Sequence, residues 1–119
     1  MSYVDGFVVP VPKKKRAAYV AMARKACRVW KDHGALAYTE CVAEDLAVPF
    51  GLGFPRMARL KAGETVVFSW IVYRSRAHRD RVNAAVMKDP RMESPVMKAA
   101  MAFDLKRFAM GGFEVLVSW

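Results

Sequence analysis

A chain of 119 residues, 55% hydrophobic and 26% charged, is long enough for one core and too apolar to be disordered, so a single domain over residues 1–119 is expected. Twenty Lys and Arg against eleven Asp and Glu give a formal charge of +9, yet the cations are spread through helices and loops without the aromatic signature of an RNA-binding module. No apolar run approaches the roughly 20 residues that cross a bilayer and the start lacks a signal-peptide layout, which excludes a helical membrane protein and predicts a cytoplasmic location with no membrane partner.

Residues 3–11 read as a first strand, with Tyr3, Asp5, Phe7 and Val9 on one side and Val4, Gly6 and Val8 on the other, closed by Pro10 and Pro12. A helix follows over residues 13–33. Its positions Tyr19, Met22, Ala23, Ala26 and Trp30 recur at spacings of three and four, Arg24, Lys25, Arg28 and Lys31 lie opposite, and Gly34 stops it. The run Lys13-Lys14-Lys15-Arg16 places cations at the positive end of the helix dipole; it marks either an anion site or a solvated misfit of small cost. A second strand over residues 36–44 carries Leu36, Tyr38, Glu40 and Val42 on one side. Residues 47–63 hold two prolines and three glycines and read as a long connection whose last part extends the next strand as a hairpin arm.

The third strand, residues 64–73, is apolar on both sides: Val66, Phe68, Trp70 and Val72 point one way, Val67, Ile71 and Tyr73 the other, with Ser69 the polar interruption. Both faces of its sheet therefore need cover. Two helices can cover one, and a second copy of the same sheet is the simplest cover for the other, which predicts a homodimer. Ser75 caps a helix running to about Lys88, with His78, Val82, Ala85 and Val86 on one face. Asp89-Pro90 ends it, residues 95–101 add a short helical turn, and residues 113–119 after Gly111-Gly112 make the closing strand, with Phe113, Val115 and Val117 facing away from Glu114. The order is βαββαβ. The fold class is α+β, a ferredoxin-like subunit with a four-stranded antiparallel sheet, helices on one face and sheet-to-sheet dimerisation, as in a dimeric α+β barrel.

The opening Tyr3-Val4-Asp5-Gly6-Phe7-Val8-Val9-Pro10, the His33-Gly34-Ala35-Leu36 and Glu40-Cys41 segments, and the stretch from Val66 to Tyr73 running into Ser75-Arg76-Ala77-His78-Arg79-Asp80 resemble the YbaA-like family. The Asp89-Pro90-Arg91-Met92 and Gly111-Gly112-Phe113-Glu114 blocks agree with it too. These are small, uncharacterised bacterial proteins of the dimeric α+β barrel superfamily. The resemblance implies a βαββαβ subunit that pairs sheet to sheet, and it implies no established activity. The chain departs from the family pattern around residues 102–107 and in the 46–56 loop.

Asp5, Glu40 and Glu114 are carboxylates on strands of a largely apolar sheet, so each needs an edge position, a cation or a ligand; Arg76, Arg79 and Arg107 are available cations, and a set of structural ion pairs would satisfy the chemistry equally. Ser69 and these charges are the candidate ligand-binding residues. Trp70, Tyr73 and His78 are the candidate catalytic residues, His78 as a proton shuttle or, alternatively, as a buried neutral imidazole. His33, next to Gly34, suits the negative end of the helix dipole. No His or Cys spacing reads as a metal site, no cofactor is expected, and Cys27 and Cys41 read as reduced thiols.

Two functional classes remain open. By analogy with the superfamily, the chain is a small-molecule binder or a cofactor-free oxygenase-like enzyme with a cavity between sheet and helices. Alternatively, it is a basic dimeric protein that binds anions or nucleic acid, or an interaction module without catalysis.

Overall fold

The computed structural model describes residues 2–100 and 103–119. β1 (Tyr3–Pro12) leads through a 3-10 turn (Lys13–Lys15) into α1 (Arg16–Asp32), followed by β2 (Ala37–Val42), α2 (Phe54–Met57) and β3 (Glu64–Tyr73). Next come α3 (Arg76–Met87), a 3-10 turn (Pro90–Glu93), α4 (Pro95–Ala100), another 3-10 turn (Leu105–Arg107) and β4 (Ala109–Glu114). Residue 101 of the helical turn expected at 95–101 lies outside the described residues.

The four strands form one antiparallel sheet in the order β2-β3-β1-β4, the split βαβ arrangement of a ferredoxin-like α+β fold. Two prolines fit within β1 because β4 stops pairing at Val8, which leaves Pro10 and Pro12 with a strand neighbour on one side only. Gly34, at a φ of 105°, supplies the left-handed residue that turns the chain from α1 into β2.

α1 and α3 cover the same face of the sheet. Their buried positions, Tyr19, Ala26 and Val29 on α1 and His78, Val82 and Val86 on α3, meet Val67, Ile71 and Tyr73 of β3 and Tyr3, Val9 and Val11 of β1. The core divides into two clusters. One gathers Tyr3, Val29, Ile71, Tyr73, Val82 and Val86, the other Val9, Val11, Tyr19, Val67 and Phe103, and Phe7 packs against both.

The opposite face is open. Phe68 is 47% exposed and Phe113 59% exposed, beside half-buried Val4, Val8, Trp70 and Val72. The molecule measures 39 × 38 × 21 Å, and the short dimension suits one sheet and one helical layer, since each layer is roughly 10 Å thick.

Two expectations are corrected. The closing strand is Ala109–Glu114 rather than residues 113–119: Gly111 and Gly112 lie within it, in register with Gly6 and Asp5, and residues 115–119 run past the sheet. A Cβ on Gly112 would sit 2.2 Å from the Tyr3 hydroxyl, so the glycine is a close-packing position and not a turn. The last part of the 47–63 connection is also not a hairpin arm. It forms the one-turn α2, begun with Pro55 near its start, which sets Phe54 edge-on against Phe68 with ring centroids 6.2 Å apart.

Candidate active site

Between the two halves of the core lies a cavity of about 520 Å³, floored by Phe7, Ser69 and Ile71 of the sheet and roofed by Met22, Ala26 and Trp30 of α1. Leu105 and Phe108 help to close it near β4, and exposed Glu93 and Lys98 stand at its mouth. Its size is that of a small-molecule site, roughly 300–1,000 Å³.

One carboxylate reaches into this apolar chamber. The side chain of Glu40 on β2 accepts a hydrogen bond from the Tyr19 hydroxyl of α1 at Oε1 and another, at 2.6 Å, from the Tyr38 hydroxyl at Oε2. Tyr38 and Glu40 are two apart on a strand, so they share a face by the pleat. Both phenols are held protonated, with pKa values pushed above the usual 10: burial is the larger cause, and the neighbouring Glu40 charge and hydrogen bond add to it. Ser69 is buried on the same face of the sheet, in register with Glu40 on one side and Phe7 on the other. The arrangement is a hydrogen-bond acceptor and potential proton acceptor, fixed by two phenols and facing an apolar space.

Tyr19, Tyr38 and Glu40 also line a second hollow, a groove of about 340 Å³ at the β2 edge that opens past Arg16, Arg24, Cys27 and Thr65. The triad is thus the partition between the apolar chamber and a groove with arginines at its rim.

The remaining predicted residues lie elsewhere. Asp5 is buried under the α3 side of the sheet, where Arg79 Nη1 donates to Oδ1 at 2.9 Å and Asn83 Nδ2 to Oδ2 at 3.4 Å. Arg79 also stacks over the Tyr3 ring at 5.0 Å, and its Nε lies 2.9 Å from Asp80 Oδ1 without the alignment of a hydrogen bond. The Tyr73 hydroxyl accepts from Trp30 Nε1 at 3.1 Å and donates to Asn83 Oδ1 at 3.1 Å, which ties the same network to α1.

His78 is buried at the start of α3, where its backbone N–H takes the Ser75 Oγ cap at 3.1 Å and its Nδ1 accepts the Arg74 backbone N–H at 3.0 Å. Burial, and then the Arg74 and Arg81 charges, hold its pKa below the usual value and keep the ring neutral. Arg76 and Glu114 are exposed at the start of α3 and the end of β4. Of the candidates, Glu40 and Ser69 therefore face the cavity; Trp70 borders it but turns its ring to the open sheet face, 5.6 Å from that of Phe68, and Tyr73, His78, Asp5, Arg76, Arg79 and Glu114 do not line it.

The sequence places Tyr19 on the apolar stripe of α1 and Tyr38 on the same side of its strand as Glu40, and marks neither as a site residue. For Tyr38 the signal was present, since a tyrosine and a glutamate two apart on one strand face can pair. For Tyr19, 21 residues from Glu40, there was none. His33 meets Asp89 at 2.7 Å, and Arg91 clamps Asp89 and Asp32 at 2.8 and 2.7 Å, so the end of α1 is pinned to the 3-10 turn that follows α3. Arg107 grips Glu64 through two nitrogens at 2.6 and 2.9 Å. Among the described residues, no cluster of His, Cys, Asp and Glu could hold a metal ion, and no helix is long and apolar enough to cross a membrane.

Comparison with known proteins agrees with this architecture. The chain is 44% identical over 117 residues to the uncharacterised protein YbaA of Escherichia coli (strain K12), covering 98% of each, and matches YbaA of Shigella flexneri to the same extent. Its fold is similar to that in a crystal structure of a mutant of SnoaB, a cofactor-independent oxygenase from Streptomyces nogalater, with a TM-score of 0.50 and 15% identity over 98% of this chain and 93% of that one. The chain belongs to the family described as Protein of unknown function (DUF1428), which matches residues 2–105.

Proposed function

We propose that the cavity beneath the sheet binds a small, largely apolar molecule that offers a hydrogen-bond donor to Glu40. The observation that supports this is a carboxylate held by two phenols against an apolar space of about 520 Å³. A core serving stability alone would fill that volume and would not spend a charge there. Native mass spectrometry of the protein purified from its own cells tests it: the wild type is expected to carry a small molecule that Glu40→Leu has lost. A bare chain mass for wild type, with no saturable thermal shift from small amphipathic compounds, would overturn the reading.

An oxygenase-like activity is the catalytic form of the same reading, suggested by the fold shared with SnoaB. Oxygenation without a cofactor must draw its electrons from the substrate, and a positioned carboxylate base is the group that would convert an acidic substrate into an electron-rich anion. Oxygen consumption with the retained molecule, reduced at least ~100-fold in Glu40→Gln, is the expected result.

We further propose that two copies pair through the open sheet face, supported by the exposed rings of Phe68 and Phe113 amid apolar neighbours. A cytoplasmic location is supported by the free, exposed thiol of Cys41, which a reducing compartment preserves. A second functional reading, anion or nucleic-acid binding, is favoured by the exposed Lys13, Lys14, Lys15, Arg16, Arg24 and Arg28 of α1 and its leading turn, which enter no ion pair among the described residues. It requires affinity for RNA or DNA that falls steeply with salt.

A further inference from the structure

We infer that the molecule this cavity takes is a planar aromatic compound bearing a neutral hydroxyl group and no negative charge; the inference rests on the binding reading above and names its ligand class. Three features of the wall lead there. The first is its sulfur. Met22, Met87, Met92, Met97 and Met110 all line the chamber. Thioethers are polarisable and unbranched, they make favourable contacts with ring edges, and they re-pack around flat bodies of different outline. The second is the complement of rings on the same wall, Phe7, Trp30, Phe103 and Phe108, which offer faces and edges to a further ring.

The third feature decides the polar group. The protons of Tyr19 and Tyr38 both point at Glu40, so neither phenol has a donor left for a ligand, while the carboxylate keeps unfilled lone pairs. A ligand hydroxyl completes that set. A ligand carboxylate would face Glu40 inside the chamber and Glu93 at its mouth, with the exposed Lys98 the cation of the lining. The +9 charge of the chain draws anions to its surface, whereas the chamber selects against them.

The test uses naphthol, naphthalene, naphthoate and decanol as probes, titrated against the full chain by calorimetry. Naphthol is expected to bind saturably, about tenfold or more tighter than each of the others: naphthalene lacks the hydrogen bond to the charged acceptor, naphthoate is repelled by it, and decanol keeps the hydroxyl but lacks the ring that the thioethers and aromatic wall would meet. In Glu40→Gln, with an unchanged circular dichroism spectrum, the preference for naphthol over naphthoate should shrink about tenfold, because the repelling charge is gone. Bound naphthol should also slow peroxide oxidation of Met22, Met92 and Met97 but not of the exposed Met57, which lies outside the cavity. Equal or tighter binding of naphthoate or decanol, or saturable binding without methionine protection, would overturn the ligand class and leave cavity binding standing. Failure of every probe to bind would remove both.

Discussion

Tyr38 and Glu40 stand two apart on the edge strand β2, and the 2.6 Å hydrogen bond from phenol to carboxylate lies on the wall of the cavity. Tyr19 closes the arrangement from α1, so one carboxylate both couples helix to edge strand and carries the polar chemistry of the chamber.

The phenols therefore report on Glu40. In Glu40→Gln both should ionise at lower pH than in wild type, because a hydrogen bond to a charged acceptor and its Coulombic effect are weakened together. Ultraviolet titration of tyrosinate in the two proteins measures this, and identical curves would show that Glu40 does not influence them. The sign for stability follows: the unfolded chain loses these protons near pH 10 while the folded chain keeps them, so stability is full below pH 10 and falls as pH rises beyond it.

His78 acts in the opposite range. Its folded pKa lies below the ordinary 6.5, so the unfolded chain takes up a proton that the folded chain refuses; stability is full above 6.5 and is lost as pH falls beneath it. Urea midpoints of wild type should drop between about pH 7 and about pH 5, and drop less in His78→Gln. Parallel slopes for both proteins would assign the pH dependence to other groups.

Gly112 is held by space. Its substitution by alanine would put a methyl 2.2 Å from the Tyr3 hydroxyl and 2.8 Å from ring carbons of a buried side chain, so Gly112→Ala should cost about 1–3 kcal/mol in chemical denaturation. Gly53→Ala is the control, since the nearest atom to its Cβ would be Pro55 Cδ at an ordinary 3.6 Å, and it should change stability by less than about 0.5 kcal/mol.

Buried Asp5 and half-buried Arg79 form an ion pair across β1 and α3. Asp5→Ala removes the buried partner of Arg79, which keeps the exposed Asp80, and should cost about 1–3 kcal/mol, while the double change Asp5→Leu with Arg79→Met should cost markedly less than the sum of the single changes. Additive losses would show that the two side chains do not compensate each other. Because neither lines the cavity, the folded double variant should keep wild-type affinity for the naphthol probe.

Phe68 tests the open face. Phe68→Lys places a charge among Val8, Trp70 and Cys41 of the neighbouring positions, and it should raise the dissociation constant of the proposed dimer by at least ~100-fold in sedimentation equilibrium. A wild type that sediments as a monomer at micromolar concentration would refute the pairing itself.

The order of strands and helices, the two stripes on α1 and α3, and the two-faced third strand were all legible in the chain, because periods of two and of 3.6 are written in adjacent residues. Glu40 and Ser69 were recognisable as polar exceptions on apolar strands for the same local reason. Where the closing strand begins was not, since Gly111 and Gly112 read as a turn until the Tyr3 ring, over a hundred residues earlier, is seen to need the room they leave. The triad and the cavity were equally out of reach: Tyr19 meets Glu40 only when α1 crosses the sheet, and an unfilled volume belongs to no residue in particular. Local patterning sets which face of each element is apolar, but contacts between distant segments depend on how those faces are brought together, and that is decided by packing in three dimensions.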